Sequence, residues 1–137
     1  MIYEDINSGL FIDFNTVAYM RWNSTSSKLV FWSFEDVTQK PEVLLGENHK
    51  MIFDQAASCG SMVFIYHHMI VNAHLIRLAR KLNEDKIEIA IIGNKAPEEI
   101  NLNNPNFFQE LSQVRSGKPL SLDQKWPNII QTHSKPN

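Results

Sequence analysis

"FIYHHMIVNAHLIRLAR", Phe64 to Arg80, places two adjacent histidines between apolar runs. The stretch is too polar to span a bilayer and too apolar for a surface loop. The apolar-rich window around it, Met62 to Leu82, carries His67, His68, Asn72, His74, Arg77, Arg80 and Lys81. Each charge at bilayer depth costs roughly 2.5–3.5 kcal/mol, so no membrane span is expected. "MVFIYH" reads as a strand. Downstream, Val71, Leu75, Leu78 and Leu82 fit helical spacing, yet Leu75-Ile76 followed by "RLARKL" also suits a short turn feeding a strand.

Working outward, "LFIDF" from Leu10 alternates as a strand does, and "VAYMRW" (Val17 to Trp22) and "KLVFWSF" (Lys28 to Phe34) are rich in β-formers. The polar Asn23–Ser27 stretch between them has hairpin length. "EDVTQKP" reads as a loop and "EVLLG" as a short strand. From Glu47 to Ser58 the pattern turns helical, with Met51, Ile52, Gln55 and Ala56 on one side and Gly60 as a stop. "KIEIAIIG" is a further strand with Ile87, Ile89 and Ile91 on one face, ended by a Gly93-Asn94 turn. A second helix is expected with Asn104 as cap, Pro105 at the first helical position, and Phe107, Phe108, Leu111 and Val114 as its stripe; Arg115, Gly117 and Pro119 close it. Residues 118–137 read as an irregular tail, anchored by Trp126 and Ile129-Ile130. The absence of βα alternation with glycine-rich turns argues against a doubly wound nucleotide-binding fold.

The 137 residues, 43% apolar and 20% charged, suit one ordinary globular core. The opening "MIYEDINSGL" has acids where a secretory signal would carry lysines. Cys59 is the single cysteine, which excludes an internal disulfide, and a reducing cytoplasm is the expected setting. The net charge is −2. Positions 1–60 carry four basic and eight acidic side chains, whereas positions 61–97 carry five basic and three acidic. Nucleic-acid binders usually show a basic surplus, because neutralising phosphate supplies much of their affinity. Here the surplus is small and local.

Five histidines invite a metal. In a strand, however, His67 and His68 point to opposite faces, and in a helix the positions three or four residues on hold Ile70, Val71 and Asn72. No metal or cofactor is expected. Cys59, at a helix C-terminal end, is not activated as a nucleophile there and reads as a small buried thiol. The pairs Glu84-Asp85 and Glu98-Glu99 read as solvated turns, and no phosphate loop, dinucleotide fingerprint or zinc-protease motif is present. Enzymatic activity is not expected. Tyr19, Trp22, Phe31, Trp32, Phe34, Phe64 and Tyr66 all fall in strands, where they would either fill a β-rich core or, less simply, stack single-stranded bases.

The segment order resembles the LytTR family, bacterial DNA-binding domains usually fused behind response-regulator receivers. "NTVAYMRW" is similar to that family's opening strand, "KLVFWSF" to the second, and "VLLGENHKMIFDQAAS" to its short strand plus helix. "VFIYHHMIVNAHLI" resembles the signature segment at Ile70-Val71-Asn72 and Ile76. "KIEIAIIGN" and "INLNNPNFFQEL" resemble the closing part. The likeness runs from about Phe11 to Ser116. Tyr66, His67 and His68 replace the family's His-Arg-Ser triplet, and Asn103-Asn104 its closing Ser-Arg pair.

The resemblance implies an α+β, predominantly β domain of antiparallel strands with two short helices over residues 1–117. It also implies sequence-specific duplex DNA binding in transcription regulation. Carried over position by position, the DNA contacts would be His67, His68, Asn103, Asn104 and the Asn23–Ser27 turn with Asn23 and Ser24, and a continuous positive strip would join the His67 bend to Lys95 and the Asn103 region. It further implies that Val63 and Ile65 face the core, that Phe64 and Tyr66 take the other face, and that His67-His68 form an exposed bend. Ile70-Val71 would return the chain to the core, and Asn72 would tie the next turn by a side-chain bond. Histidine ordinarily titrates near 6.5, so an imidazole pair offers little phosphate attraction at pH 7. For a free-standing domain, any signal is expected to arrive through a homodimer or a protein partner. The rival expectation is a protein-interaction or sensory module on the same scaffold that no longer binds DNA.

Overall fold

Strands form at every place where alternation or β-branched and aromatic runs predict them, in a computed structural model that describes residues 1–33, 40–94 and 96–132. The expected strand end at Phe34, residues 35–39 of the expected loop, and Lys95 lie outside the described residues. In chain order the elements are β1 (Ile2–Asp5), β2 (Leu10–Asp13), β3 (Val17–Asn23), β4 (Lys28–Ser33), β5 (Glu42–Leu45), α1 (Lys50–Ala57), β6 (Met62–Tyr66), β7 (Met69–Asn72), β8 (Ile76–Asn83), β9 (Lys86–Ile91), β10 (Glu98–Asn101), α2 (Phe107–Arg115) and α3 (Leu122–Thr132). Among the described residues the strands make a five-stranded sheet ordered β5-β4-β3-β7-β6, a three-stranded sheet β10-β9-β8, and the β1-β2 hairpin. All strand pairings are antiparallel. The architecture is α+β and predominantly β.

The five-stranded sheet is the middle layer, because its central strands are apolar on both faces. Val63 and Ile65 of β6 and Met69 and Val71 of β7 join Ile76, Ile87, Ile89 and Ile91 from the three-stranded sheet and Phe107 and Val114 from α2 in one core. Met62, Phe64 and Ile70 point the other way, into a second core with Ile12, Phe14, Met20 and Trp22 and with Ile52, Phe53 and Ala56 of α1. A strand covered on both sides reads as a continuous apolar run rather than an alternating one. Each fully buried aliphatic or aromatic side chain stabilises the fold by about 1.5–3 kcal/mol. Tyr19, Trp22 and Phe64 are buried, and Phe31, Trp32 and Tyr66 pack against the cores. These six aromatics are therefore core filling rather than an open stacking face.

Several expectations need correction. The window 72–82 is not a helix: a single 3-10 turn, Ala73–Leu75, feeds β8. Asn72 caps it, its side-chain oxygen accepting from the His74 backbone N–H at 3.1 Å. Tyr66 does not share the face of Phe64, because a register irregularity between Phe64 and Tyr66 turns it towards the first core with Ile65. Glu98 and Glu99 belong to β10 rather than to a turn. The buried stripe of α1 is Ile52, Phe53, Ala56 and Ala57, while Met51 faces out. In α2, Phe107, Glu110 and Val114 are buried and Phe108 is exposed. The amino-terminal stretch also contributes β1, a strand that its sequence pattern does not announce.

The expected irregular tail contains α3, a third helix. Its start is a reciprocal cap: the Ser121 hydroxyl accepts from the Gln124 backbone N–H at 3.2 Å, and the Gln124 side chain accepts from the Ser121 N–H at 3.1 Å. Pro127 lies inside the helix and removes one donor, which is why the segment reads as helix-breaking. Gln113 and Gln124 exchange a pair of amide bonds that ties α3 to α2. Gly60 admits the connecting chain, for a Cβ there would come within 2.6 Å of Pro119 Cβ. Of the expected anchors, Ile129 packs on the second core, whereas Trp126 and Ile130 are exposed.

Lys125 and Thr132 fix α3 along β6. The buried Lys125 ammonium donates to the carbonyls of Ala57, at 2.6 Å, and Cys59, at the C-terminal end of α1 where the helix dipole favours a cation. The Thr132 hydroxyl donates to the His67 carbonyl just past the end of β6. The helix thus covers an edge that would otherwise be open to pairing. Burial pulls the Lys125 pKa down to about 8 from 10.5, against the opposing pull of Cys59 and Glu110. Between those values the unfolded chain binds more protons than the folded one, so stability rises with pH across that window. Relative to Lys125→Met, the native protein should gain on the order of 2 kcal/mol between about pH 7 and about pH 10 in urea unfolding. A pH-independent difference between the two proteins would contradict the buried ammonium.

Candidate nucleic-acid interface

The chain between β6 and β7 is an elbow made of His67 and His68. Its backbone is tied from two directions. The His68 carbonyl accepts from the Trp22 N–H of β3 at 2.9 Å, and the His67 carbonyl accepts from Thr132 of α3. The two imidazoles are half-buried, with centroids 5.6 Å apart and planes at 73°. Burial, followed by the neighbouring charges of His67 and Lys50, holds the His68 pKa below the usual histidine value. His68 is therefore a neutral hydrogen-bonding ring at pH 7, and its Nδ1 has no partner.

Against the elbow lies the β3–β4 hairpin, and together they enclose a notch of about 230 Å³ lined by Arg21, Trp22, Asn23, Ser24, Thr25 and His68. The Asn23 side-chain oxygen accepts from the Thr25 and Ser26 N–H groups at 3.1 and 3.2 Å, which shapes the turn. Of the expected contact residues, His68, Asn23 and Ser24 meet in this notch. His67 and Asn103 sit beside it as a pair, with Nε2 and Nδ2 3.4 Å apart. Asn103 reaches that position because its N–H and that of Asn104 both bond the Ile65 carbonyl, at 3.0 and 3.2 Å.

Asn104 was expected both as a DNA contact and as the helix cap. It is instead buried, at 2% exposure. Its amide nitrogen donates to the Phe64 carbonyl at 2.8 Å and to a Glu110 carboxylate oxygen at 2.7 Å, and its side-chain oxygen accepts from the Asn106 N–H at 3.1 Å. These bonds close a turn through Pro105, so α2 begins two residues after the expected Pro105 start, at Phe107. Asn104 joins the loop to the sheet and has no surface to offer DNA.

Arg21 escaped the sequence reading. Its guanidinium carbon lies 5.8 Å from the Trp32 ring centroid, and its Nε is buried without a hydrogen-bond partner. A lone cation in the otherwise apolar "VAYMRW" strand was the available signal. Among the described residues no group of three or more His, Cys, Asp or Glu converges as metal ligands, and no helix is long and apolar enough to cross a membrane.

Removing the Asn104 amide strands both the Phe64 carbonyl and the Glu110 carboxyl in a buried place. Asn104→Ala should therefore cost about 1–3 kcal/mol in chemical denaturation, with the midpoint lowered and the slope unchanged. A neutral result would show that the loop does not depend on that residue.

No family model matches the sequence, and no curated protein matches it. Among solved structures, the chain is similar to the LytTr DNA-binding domain of a methyl-accepting/DNA response regulator from Bacillus cereus. The two share 10% sequence identity with a TM-score of 0.47, over 82% of this chain and 94% of that one.

Proposed function

We propose that this domain binds duplex DNA and acts in transcription regulation in a bacterial cytoplasm. Its contact surface would be the notch of Arg21, Asn23, Ser24 and His68 and the adjoining His67–Asn103 pair. The observation that carries the reading is Arg21, which makes no salt bridge among the described residues and lines the notch where the resemblance to the LytTR signature marks contact positions. An arginine that makes no salt bridge can take a phosphate oxygen, and the neutral His68 ring and the amides around it suit hydrogen bonds to sugar, phosphate or base edges. Lys95 is proposed as a second phosphate contact. A second copy of the chain, or a partner protein, would bring the regulatory input.

The same surface supports the rival reading, an interaction or sensory module that has lost DNA binding, because among the described residues Arg21 is the one fixed positive charge lining the notch. Affinity against salt concentration separates the two. Fluorescence anisotropy with mixed genomic duplex should show association at low salt with a shallow slope of log affinity against log salt, about −2 for two neutralised phosphates. Arg21→Met should weaken binding roughly tenfold on every sequence and reduce that slope by about 1. Absence of association at micromolar protein and low salt would remove the DNA reading and leave the rival.

A further inference from the structure

A second cavity, of about 270 Å³, opens where β10 passes over the face of the five-stranded sheet. Tyr19, Arg21, Trp32 and Tyr66 line it from the sheet, and Glu98 and Glu99 from β10. Tyr19 is 1% exposed, yet its hydroxyl has no hydrogen-bond partner, and the Arg21 Nε is likewise buried and unpaired. A buried hydroxyl without a partner costs about 1–3 kcal/mol, so such groups call for an explanation. The cavity also holds opposite charges that do not meet. The ion pairs among the described residues are Lys50–Asp54, Arg80–Glu88 and Lys81–Glu84, and none joins Arg21 to Glu98 or Glu99.

We propose that this cavity is a binding site for a small zwitterion of amino-acid size. Its carboxylate would accept from the Arg21 guanidinium and the Tyr19 hydroxyl. Its ammonium would sit between Glu98 and the ring of Tyr66, away from Trp32, whose ring already carries the Arg21 guanidinium, and a carboxylate beside an aromatic face suits a cation. A simple anion would meet Glu98 and Glu99, and a simple cation would meet Arg21; a ligand carrying both charges answers the charged groups of both signs in the lining. The volume falls just below the range of about 300–1,000 Å³ used by drug-sized ligands, which points to a molecule of a few heavy atoms. Burial raises the Tyr19 pKa, with Glu98 adding to it, so the phenol stays a donor at neutral pH. Burial also raises the Glu98 pKa, so an arriving ammonium would favour its ionised form.

The test is isothermal titration of the full chain with each of the twenty common amino acids, using acetate and methylamine as single-charge controls. At least one amino acid should bind saturably, and both controls at least tenfold more weakly. Tyr19→Phe and Glu98→Gln, each checked for an unchanged circular dichroism spectrum, should each lower the affinity about tenfold, or about 1.4 kcal/mol. Should Tyr19→Phe fail to fold, Glu98→Gln decides alone. The proposal is overturned if no amino acid binds at millimolar concentration, if acetate or methylamine binds as well as the zwitterion, or if affinity is the same in the folded variants. Neither Tyr19 nor Glu98 lines the notch proposed for DNA, so failure of one reading leaves the test of the other intact.

Discussion

Burial of β6 and β7 on both faces is the constraint from which the rest of the molecule follows. Side chains in a strand alternate, so a one-residue slip would exchange Val63 and Ile65 with Met62 and Phe64 between two cores of different shape. That cost pins the register of β6 against β7, and of β7 against β3 through the Tyr19–Val71 and Met20–Ile70 partners. With the register fixed, the residues between the two strands have one place to go. His67 and His68 emerge as an elbow at the end of the middle sheet, beside the hairpin that β3 and β4 make next door.

The elbow is then held by groups from distant parts of the chain. Trp22 bonds one of its carbonyls from β3, and Thr132 bonds the other from the end of α3. Asn103 is delivered by two backbone bonds to Ile65, and Asn104 locks that delivery from inside. The candidate surface is thus short side chains on a backbone tied at several points, a preorganised arrangement that loses little entropy on binding. Arg21 stands at the junction of the notch and the inter-sheet cavity, lining both. An occupant of the cavity that engages the guanidinium would compete with a phosphate for it.

Much of the strand pattern was legible in the sequence because it depends on local signals: alternation at Leu10, the polar hairpin at Asn23–Ser27, the Asn72 cap, and the Gly93 turn with its φ of +90°. What was hidden depends on contacts across the chain. Glu98 and Glu99 read as a solvated turn because nothing local shows that β9 will pair with them. Asn104 read as a surface residue because its acceptor, the Phe64 carbonyl, lies 40 residues away. That Arg21 rests on the Trp32 ring and makes no salt bridge among the described residues depends on the neighbouring strand and on β10, which no local pattern announces. In α3 two local signals conflict, Pro127 against the Ser121–Gln124 cap, and the long-range bonds of Lys125 and Thr132 favour the helix.

Native-state amide hydrogen exchange measures this ordering directly. As the strand between β3 and β6, β7 has its backbone donors bonded on both sides, so the amides of Ile70 and Val71 should exchange only through global unfolding, and the Trp22 amide that bonds the elbow should be protected with them. The α3 amides, resting on Lys125, Thr132 and Ile129, should open at lower free energy. Fast exchange at Ile70 and Val71, ahead of α3, would contradict a middle layer buried on both faces and would remove the foundation of the elbow.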